Sequence, residues 1–245
     1  MGGWKQVCGE PWILPSILTL IAPATDAFVA FNERVNVAMR QPQALHTLVY
    51  LHGFNSSPQS RKVTEIKSVL PGLTKELGLG DVDLQVPELG FDPDVALARA
   101  GDVIRPLLEA GQSVGLIGSS LGGFYASVLS QQYDLPAALV NPAAYPYQLL
   151  VDHLGPQHNP YTGERYELNE SHILRLKTLE PEPPARPERL FILVQTGDET
   201  LDFRDVLGKH RGSPAWIQPG GDHRFQNFTT VLPAILTFLF GGNFR

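Results

Sequence analysis

Gly118-Ser119-Ser120-Leu121-Gly122 constrains the fold of this chain more than any other stretch. An apolar run at 114–117 precedes it, and a helix-like stretch at 121–133 follows it. G-x-S-x-G between a strand and a helix has a steric rationale. A serine at the tip of a tight strand-to-helix turn takes a strained backbone conformation with neighbours crowding both sides. Glycines two residues before and two after remove the side chains that would clash. The serine oxygen then stands above the sheet, and the next backbone amide points into the same space. Ser120 is the candidate nucleophile. Ser119 is its competitor, but the glycines frame Ser120 symmetrically.

A chain of 245 residues, 43% hydrophobic and 18% charged, suits one α/β domain with a full core. The net charge of −6, without a basic cluster, argues against nucleic-acid or anionic-membrane partners. Cys8 is the only cysteine, so no internal disulfide forms, and a cytoplasmic, reducing location is expected. No metal-ligand spacing occurs, and no metal is expected. The core region has no apolar run long enough for stable membrane insertion.

Residues 1–40 read as an N-terminal extension, and residues 41–245 as the catalytic-type domain. The apolar run at 13–22 contains Pro15 and is short for a membrane span. It fits a leader with Ala22-Pro23-Ala24 as the small-residue site, although Glu10 counts against that. A start at Met39 is the favoured alternative, and a loosely packed or partner-binding extension is the third. Residues 28–38 have the composition of an added edge strand.

From residue 45 the rhythm is strand, helix, strand. Strands are expected at 47–51, 82–86, 114–117, 137–140, 190–195 and 215–218. Helices are expected at 62–77, broken near Pro71-Gly72, then from Asp92-Pro93 to 109, at 121–133, at 199–209 and at 231–240. Residues 143–188 leave this rhythm and read as a small cap, with one helix near 170–177. Alternation of this kind predicts an α/β fold, and the G-x-S-x-G turn between strand and helix makes it an α/β-hydrolase fold. Its mostly parallel sheet has about six strands, with helices on both faces. Sites in such sheets lie beyond the carboxyl ends of the strands. Phe54, Ser120, Asp198 and His223 all fall just after a strand.

A serine hydroxyl needs a base, and the base needs an orienting acid. His223, in Gly220-Gly221-Asp222-His223 after the last strand, is the histidine best placed for this. Asp198 lies closest to the end of the fifth strand and is the first choice for the acid; Asp202 comes next and Glu199 after it. Asp222 adjoins His223 and reads as a loop former. An oxyanion needs two amide donors. The Leu121 N–H, at a helix start, is one candidate, and the Phe54 N–H, after His52-Gly53, is the other. Phe124, Tyr125 and Tyr145 are candidates for an apolar substrate pocket, with ordinary core packing as the competing reading. Tyr147 and Phe54 are weighed in the same way.

Five stretches carry a resemblance to a known family. They are Tyr50-Leu51-His52-Gly53-Phe54-Asn55-Ser56-Ser57-Pro58, Gly118-Ser119-Ser120-Leu121-Gly122-Gly123-Phe124-Tyr125, Val140-Asn141-Pro142-Ala143, Asn159-Pro160-Tyr161-Thr162-Gly163 and Gln195-Thr196-Gly197-Asp198-Glu199. Together they resemble the YqiA/YcfP-type esterases, small bacterial α/β-hydrolases. The resemblance spans roughly residues 45–239. It implies a serine esterase whose nucleophile, acid and base fall on Ser120, Asp198 and His223, and it leaves residues 1–40 outside. The expected activity is cleavage of small acyl esters without a cofactor. Alternatives are a thioesterase acting on acyl-CoA or an acyl carrier, with Arg61, Lys62, Arg165 and Arg175 as sources of a basic rim, and a non-catalytic binding protein. The oligomeric state stays open.

Overall fold

The computed structural model describes residues 46–241 except Glu182. The expectations for residues 1–40 lie outside the described residues. One sheet dominates. Its strands, in chain order, are β1 (His46–Leu51), β2 (Val82–Gln85), β3 (Ser113–Ser120), β4 (Ala137–Pro142), β7 (Leu190–Gln195) and β8 (Ala215–Gln218). Their order across the sheet is β2-β1-β3-β4-β7-β8, and every pairing within it is parallel. These are the six strands read from the sequence, with β3 running on through Ser120.

Period-2 alternation divides the strand side chains between two cores. Val49, Leu51, Leu116, Leu139 and Ile192 enter one. Leu48, Tyr50, Ile117, Val140 and Leu193 enter the other. A sheet apolar on both faces needs helices on both, and the connections supply them. Helix α2 (Pro93–Glu109) and helix α3 (Leu121–Tyr133) bury their apolar stripes in the first core. Helix α1 (Arg61–Glu76) and helix α7 (Leu232–Leu236) close the second. Asp92 begins α2 as expected, its side chain accepting from the Asp94 and Val95 amides, with Pro93 at the first helical position.

Helix extents differ from the sequence reading at three places. Helix α1 is not broken at Pro71. Pro71 lies on its exposed side, and so does Lys67, whose carbonyl the ring leaves without a donor. Water is available there, so the helix survives. Helix α6 (Phe203–Lys209) starts four residues later than expected, because Asp198 and Asp202 cap successive turns instead of lying inside one helix. The closing segment is α7 followed by a π-turn at Thr237–Gly241, in place of one helix over 231–240.

Between β4 and β7 the chain forms α4 (Pro146–Leu150), the antiparallel pair β5 (Gly155–His158) and β6 (Arg165–Leu168), and α5 (Glu170–Thr178). Only α5 is evident in the sequence. The hairpin strands are four residues each and mostly polar, so they show no alternation. Asn159 makes the hairpin's turn by accepting from the Tyr161 and Thr162 amides, and Gly163 takes a φ of 75°. The hairpin is tied to the loop after β1. Tyr166 Oη donates to Asn55 Oδ1 at 2.7 Å, and Asn159 Nδ2 donates to the Ser56 carbonyl at 2.9 Å.

His210, at the end of α6, is buried, and its Nδ1 has no partner among the described residues. Burial, reinforced by the neighbouring Lys209, pushes its pKa down to about 4 from 6.5. His46 and His52 are shifted down as well by burial. The unfolded chain therefore takes up protons that the folded chain refuses. The stability that these histidines contribute is full above pH ~6.5 and falls as the pH drops toward ~4, by up to about 3 kcal/mol for His210. Urea unfolding at pH 7, 6 and 5 measures this slope, and His210→Gln should flatten it.

Candidate active site

The connection order makes the site. The chain leaves β1 toward β2 at one edge, then returns across β1 to β3, so the direction of winding reverses between β1 and β3. Crevices open at such a point, beyond the carboxyl ends of the strands. The loop 52–54 after β1 and Ser120 at the end of β3 meet there.

Ser120 has φ 57° and ψ −123°, a conformation that L-residues rarely hold. It is sustained by backbone contact on both sides. A Cβ on Gly118 would lie 2.2 Å from the Gly122 carbonyl oxygen, and one on Gly122 would lie 2.1 Å from that of Leu51. The glycines therefore let β1, β3 and the first turn of α3 touch backbone to backbone. Gly53 passes beside the serine as well, and its Cβ position is 3.6 Å from Ser120 Oγ.

His223 Nε2 lies 3.1 Å from Ser120 Oγ. Its Nδ1 faces both carboxylate oxygens of Asp198, at 3.0 and 2.9 Å. Asp198 Oδ1 also accepts from the Thr200 and Leu201 amides at 2.8 and 2.9 Å. Its side chain is 3% exposed, against 25% for His223. The structure thus brings Ser120, His223 and Asp198 into one line of hydrogen bonds. Asp202 is elsewhere, capping α6 and paired with Arg204, which holds its carboxyl below the usual range. Glu199 faces the His223 backbone and not its ring, accepting from the amide at 3.0 Å.

The His223 loop is held by two buried side-chain amides with no obvious signal in the sequence. Asn141, at the end of β4, accepts from the Gln195 amide at 2.9 Å and donates to the Asp222 carbonyl at 3.0 Å. Gln195, at the end of β7, accepts from the Asp222 and Gln226 amides at 3.1 and 2.8 Å and donates to the Gln226 carbonyl at 2.9 Å. Gly221 must be glycine here, because its φ is 78° and a Cβ would lie 2.0 Å from Gln195 Oε1.

The Leu121 amide begins α3 and has no acceptor within the helix. The Phe54 amide follows Gly53 in the loop beside Ser120. His52 fixes that loop. It is buried, its Nε2 accepts from the Leu89 amide at 3.2 Å, and its Nδ1–H therefore donates to the Gly53 carbonyl at 3.1 Å. With Gly53 C=O held on that side, the trans peptide turns the Phe54 N–H to the other.

Two spaces adjoin Ser120. A chamber of about 150 Å3 is lined by Leu121, Ala143, Pro146, Leu149, Leu150 and His153. A wider cleft of about 750 Å3 also reaches Ser120, and Phe54 and His223 line both. The aromatic candidates Phe124 and Tyr125 do not line either space. They are buried on the inner face of α3, where they pack in the first core. Tyr145 lies under Lys209, whose Nζ is 4.7 Å from its ring centroid, and beside Tyr147. These three positions take the core reading. The chamber wall comes instead from α4, whose five residues are too few for an amphipathic pattern.

The parallel six-stranded sheet, with Ser120 strained at its β3 turn, defines the α/β-hydrolase fold. Solved structures of this fold are similar over most of the chain. Est1E from Butyrivibrio proteoclasticus matches at TM-score 0.56 and 12% identity, covering 81% of this chain and 88% of its own. The esterase domain of a Rhodothermus marinus protein matches at 0.54 and 15%, covering 83% and 90%. Mouse alpha/beta hydrolase domain-containing protein 10 matches at 0.52 and 17%, covering 81% and 88%. The chain belongs to the uncharacterised protein family UPF0227, whose model matches residues 47–240, and this is the YqiA/YcfP family of the sequence resemblance.

The backbone contact at Gly122 generates a prediction. Gly122→Ala should destabilise the protein by ~3 kcal/mol, lowering Tm by roughly 6–12 °C, since a carbonyl, not a movable side chain, blocks the methyl. Differential scanning calorimetry measures this, and Gly72→Ala, at a position with open space, is the control.

Proposed function

We propose that the protein is a serine hydrolase that cleaves short-chain carboxylic esters through an acyl-enzyme on Ser120. The observation that carries this reading is the unbroken line from Ser120 Oγ through His223 to Asp198, placed at the turn where the Ser120 backbone is strained. His223 Nε2 takes the hydroxyl proton as Ser120 Oγ bonds to the carbonyl carbon. Asp198 keeps the Nδ1 proton in place and stabilises the imidazolium. The Phe54 and Leu121 amides receive the oxyanion. Collapse expels the alcohol, which leaves with the proton from Nε2. Water then attacks the acyl-enzyme, giving its proton to His223, and Ser120 recovers it as the acid departs. The chamber of about 150 Å3 has the volume of about five waters and suits a short acyl chain. A thioester would pass through the same steps.

Labelling with a fluorophosphonate, followed by mass spectrometry of the peptides, tests the nucleophile, with the adduct expected on Ser120. Ser120→Ala should lose hydrolysis of 4-nitrophenyl acetate by at least about 10,000-fold with an unchanged circular dichroism spectrum. Retention of activity in that variant would overturn the assignment. Asp198→Asn should cost about 10,000-fold in kcat, because an amide at this place favours the wrong imidazole tautomer. Asp202→Asn should leave kcat within a few-fold, and the reverse order would move the acid to Asp202.

A further inference from the structure

The wider cleft has a charge pattern that contrasts with the chain. The protein carries −6, yet this cleft is lined by three cations, Arg61, Lys62 and Arg224, and two carboxylates, Glu65 and Asp222. The carboxylates are committed. Glu65 pairs with Arg61 at 2.7 Å. Asp222 accepts from the Arg224 amide and from Gln226 Nε2 at 3.0 Å each. Lys62 Nζ and the Arg224 guanidinium have no hydrogen bond or close ion pair among the described residues.

The head of α1 adds independent observations. Its first two residues are Arg61 and Lys62, and its first turn holds no acid. This reverses the usual arrangement, since the helix dipole disfavours cations there. Ser60 stands at the N-cap but makes no capping bond, and its buried Oγ has no partner, on the wall of the cleft. A helix start with free amides, an idle hydroxyl and Lys62 outside any close ion pair is suited to an anion.

We propose that this part of the cleft binds an anionic group, phosphate or carboxylate, on the leaving-group half of the ester cleaved at Ser120. Lys62, Ser60 and the first amides of α1 hold it from one side, and Arg224 from the facing loop. Tyr161, exposed on the cleft wall, offers its phenol. The inference rests on the hydrolase reading above and adds its substrate class. The acyl part occupies the small apolar chamber and the charged alcohol the cationic cleft, two spaces that meet at Ser120. No covalent step beyond ester hydrolysis is involved.

The test uses three acetyl esters: 4-acetoxyphenyl phosphate, 4-acetoxybenzoate and methyl 4-acetoxybenzoate. The readout is kcat/KM for each anionic ester relative to the neutral methyl ester. Lys62→Met should lower that ratio roughly tenfold or more, and Arg224→Gln, on an exposed side chain, should lower it in the same direction. Lys67→Met, on the outer face of α1, should leave it unchanged. In the unmodified protein the ratio should fall between pH 7 and 9, because burial pushes the Lys62 pKa down to about 8 and its charge is lost as the pH rises. The charged and titratable groups that face Lys62 across the cleft are Arg61, Glu65, Tyr161, Asp222, His223 and Arg224, and His223 acts on all three esters alike. A larger ratio for the phosphate identifies a phosphate site, and equal ratios identify a general anion site. Ratios that follow leaving-group acidity alone and ignore Lys62 would overturn the proposal while leaving the hydrolase reading intact. Failure of the unmodified protein to cleave any of the three would overturn the hydrolase reading and the inference with it.

Discussion

Everything at the centre of this molecule depends on backbone meeting backbone at the top of β3. Gly118 and Gly122 have no side chains to keep β1, β3 and α3 apart, so the first turn of α3 lies against the carbonyls of Leu51 and His52. That approach holds Ser120 at a φ that local energetics disfavour. It also sets the loop after β1 beside the serine, so that two chain segments remote in sequence share one small space. The strain is offset by the cores on both faces of the sheet, where β1, β3 and β4 are buried along most of their length.

The division of labour around that point is plain. The sheet ends supply Ser120, Asp198 and His223, and uncharged amides keep the histidine loop in place. Loops and the 143–188 segment supply the walls. The 143–188 segment meets the centre mostly through side chains such as Leu149, and Ala143 is the exception, its amide donating to the Ser120 carbonyl at 3.0 Å.

Much of this was legible in the sequence, for identifiable reasons. The six strands are apolar and β-branched, with turn residues between them, so their existence was clear. The glycine spacing around Ser120 encodes a steric necessity. Position after a strand singled out Asp198 and His223, the pair that the structure brings together with Ser120. What escaped has physical causes too. The β5–β6 hairpin is stabilised by side-chain bonds to Asn55 and Ser56 from distant parts of the chain, which no local pattern reports. Pro71 reads as a breaker, but only the tertiary position of its helix face tells whether water can serve the orphaned carbonyl. Phe124 and Tyr125 follow the serine in sequence, yet the helical turn carries them under the site into the core. Asn141 and Gln195 look like ordinary polar residues at strand ends. Their importance lies in partners more than 25 residues away.

The Asn141–Gln195 pair has a consequence of its own. Neither side chain titrates, and each uses its donor and its acceptor inside the protein. Apart from Glu199, which accepts from the His223 amide, and the buried Asp198, which faces its ring, the bonds that hold the His223 loop carry no net charge. Dissolved ions weaken interactions between formal charges reached by solvent, and they act little on buried neutral dipoles. The exposed charges near Ser120, Arg61 and Arg224 among them, sit in the open cleft. Ionic strength is thus a lever that separates the two. A response to added electrolyte reports on what the cleft attracts, while the alignment of the histidine stays constant through the titration.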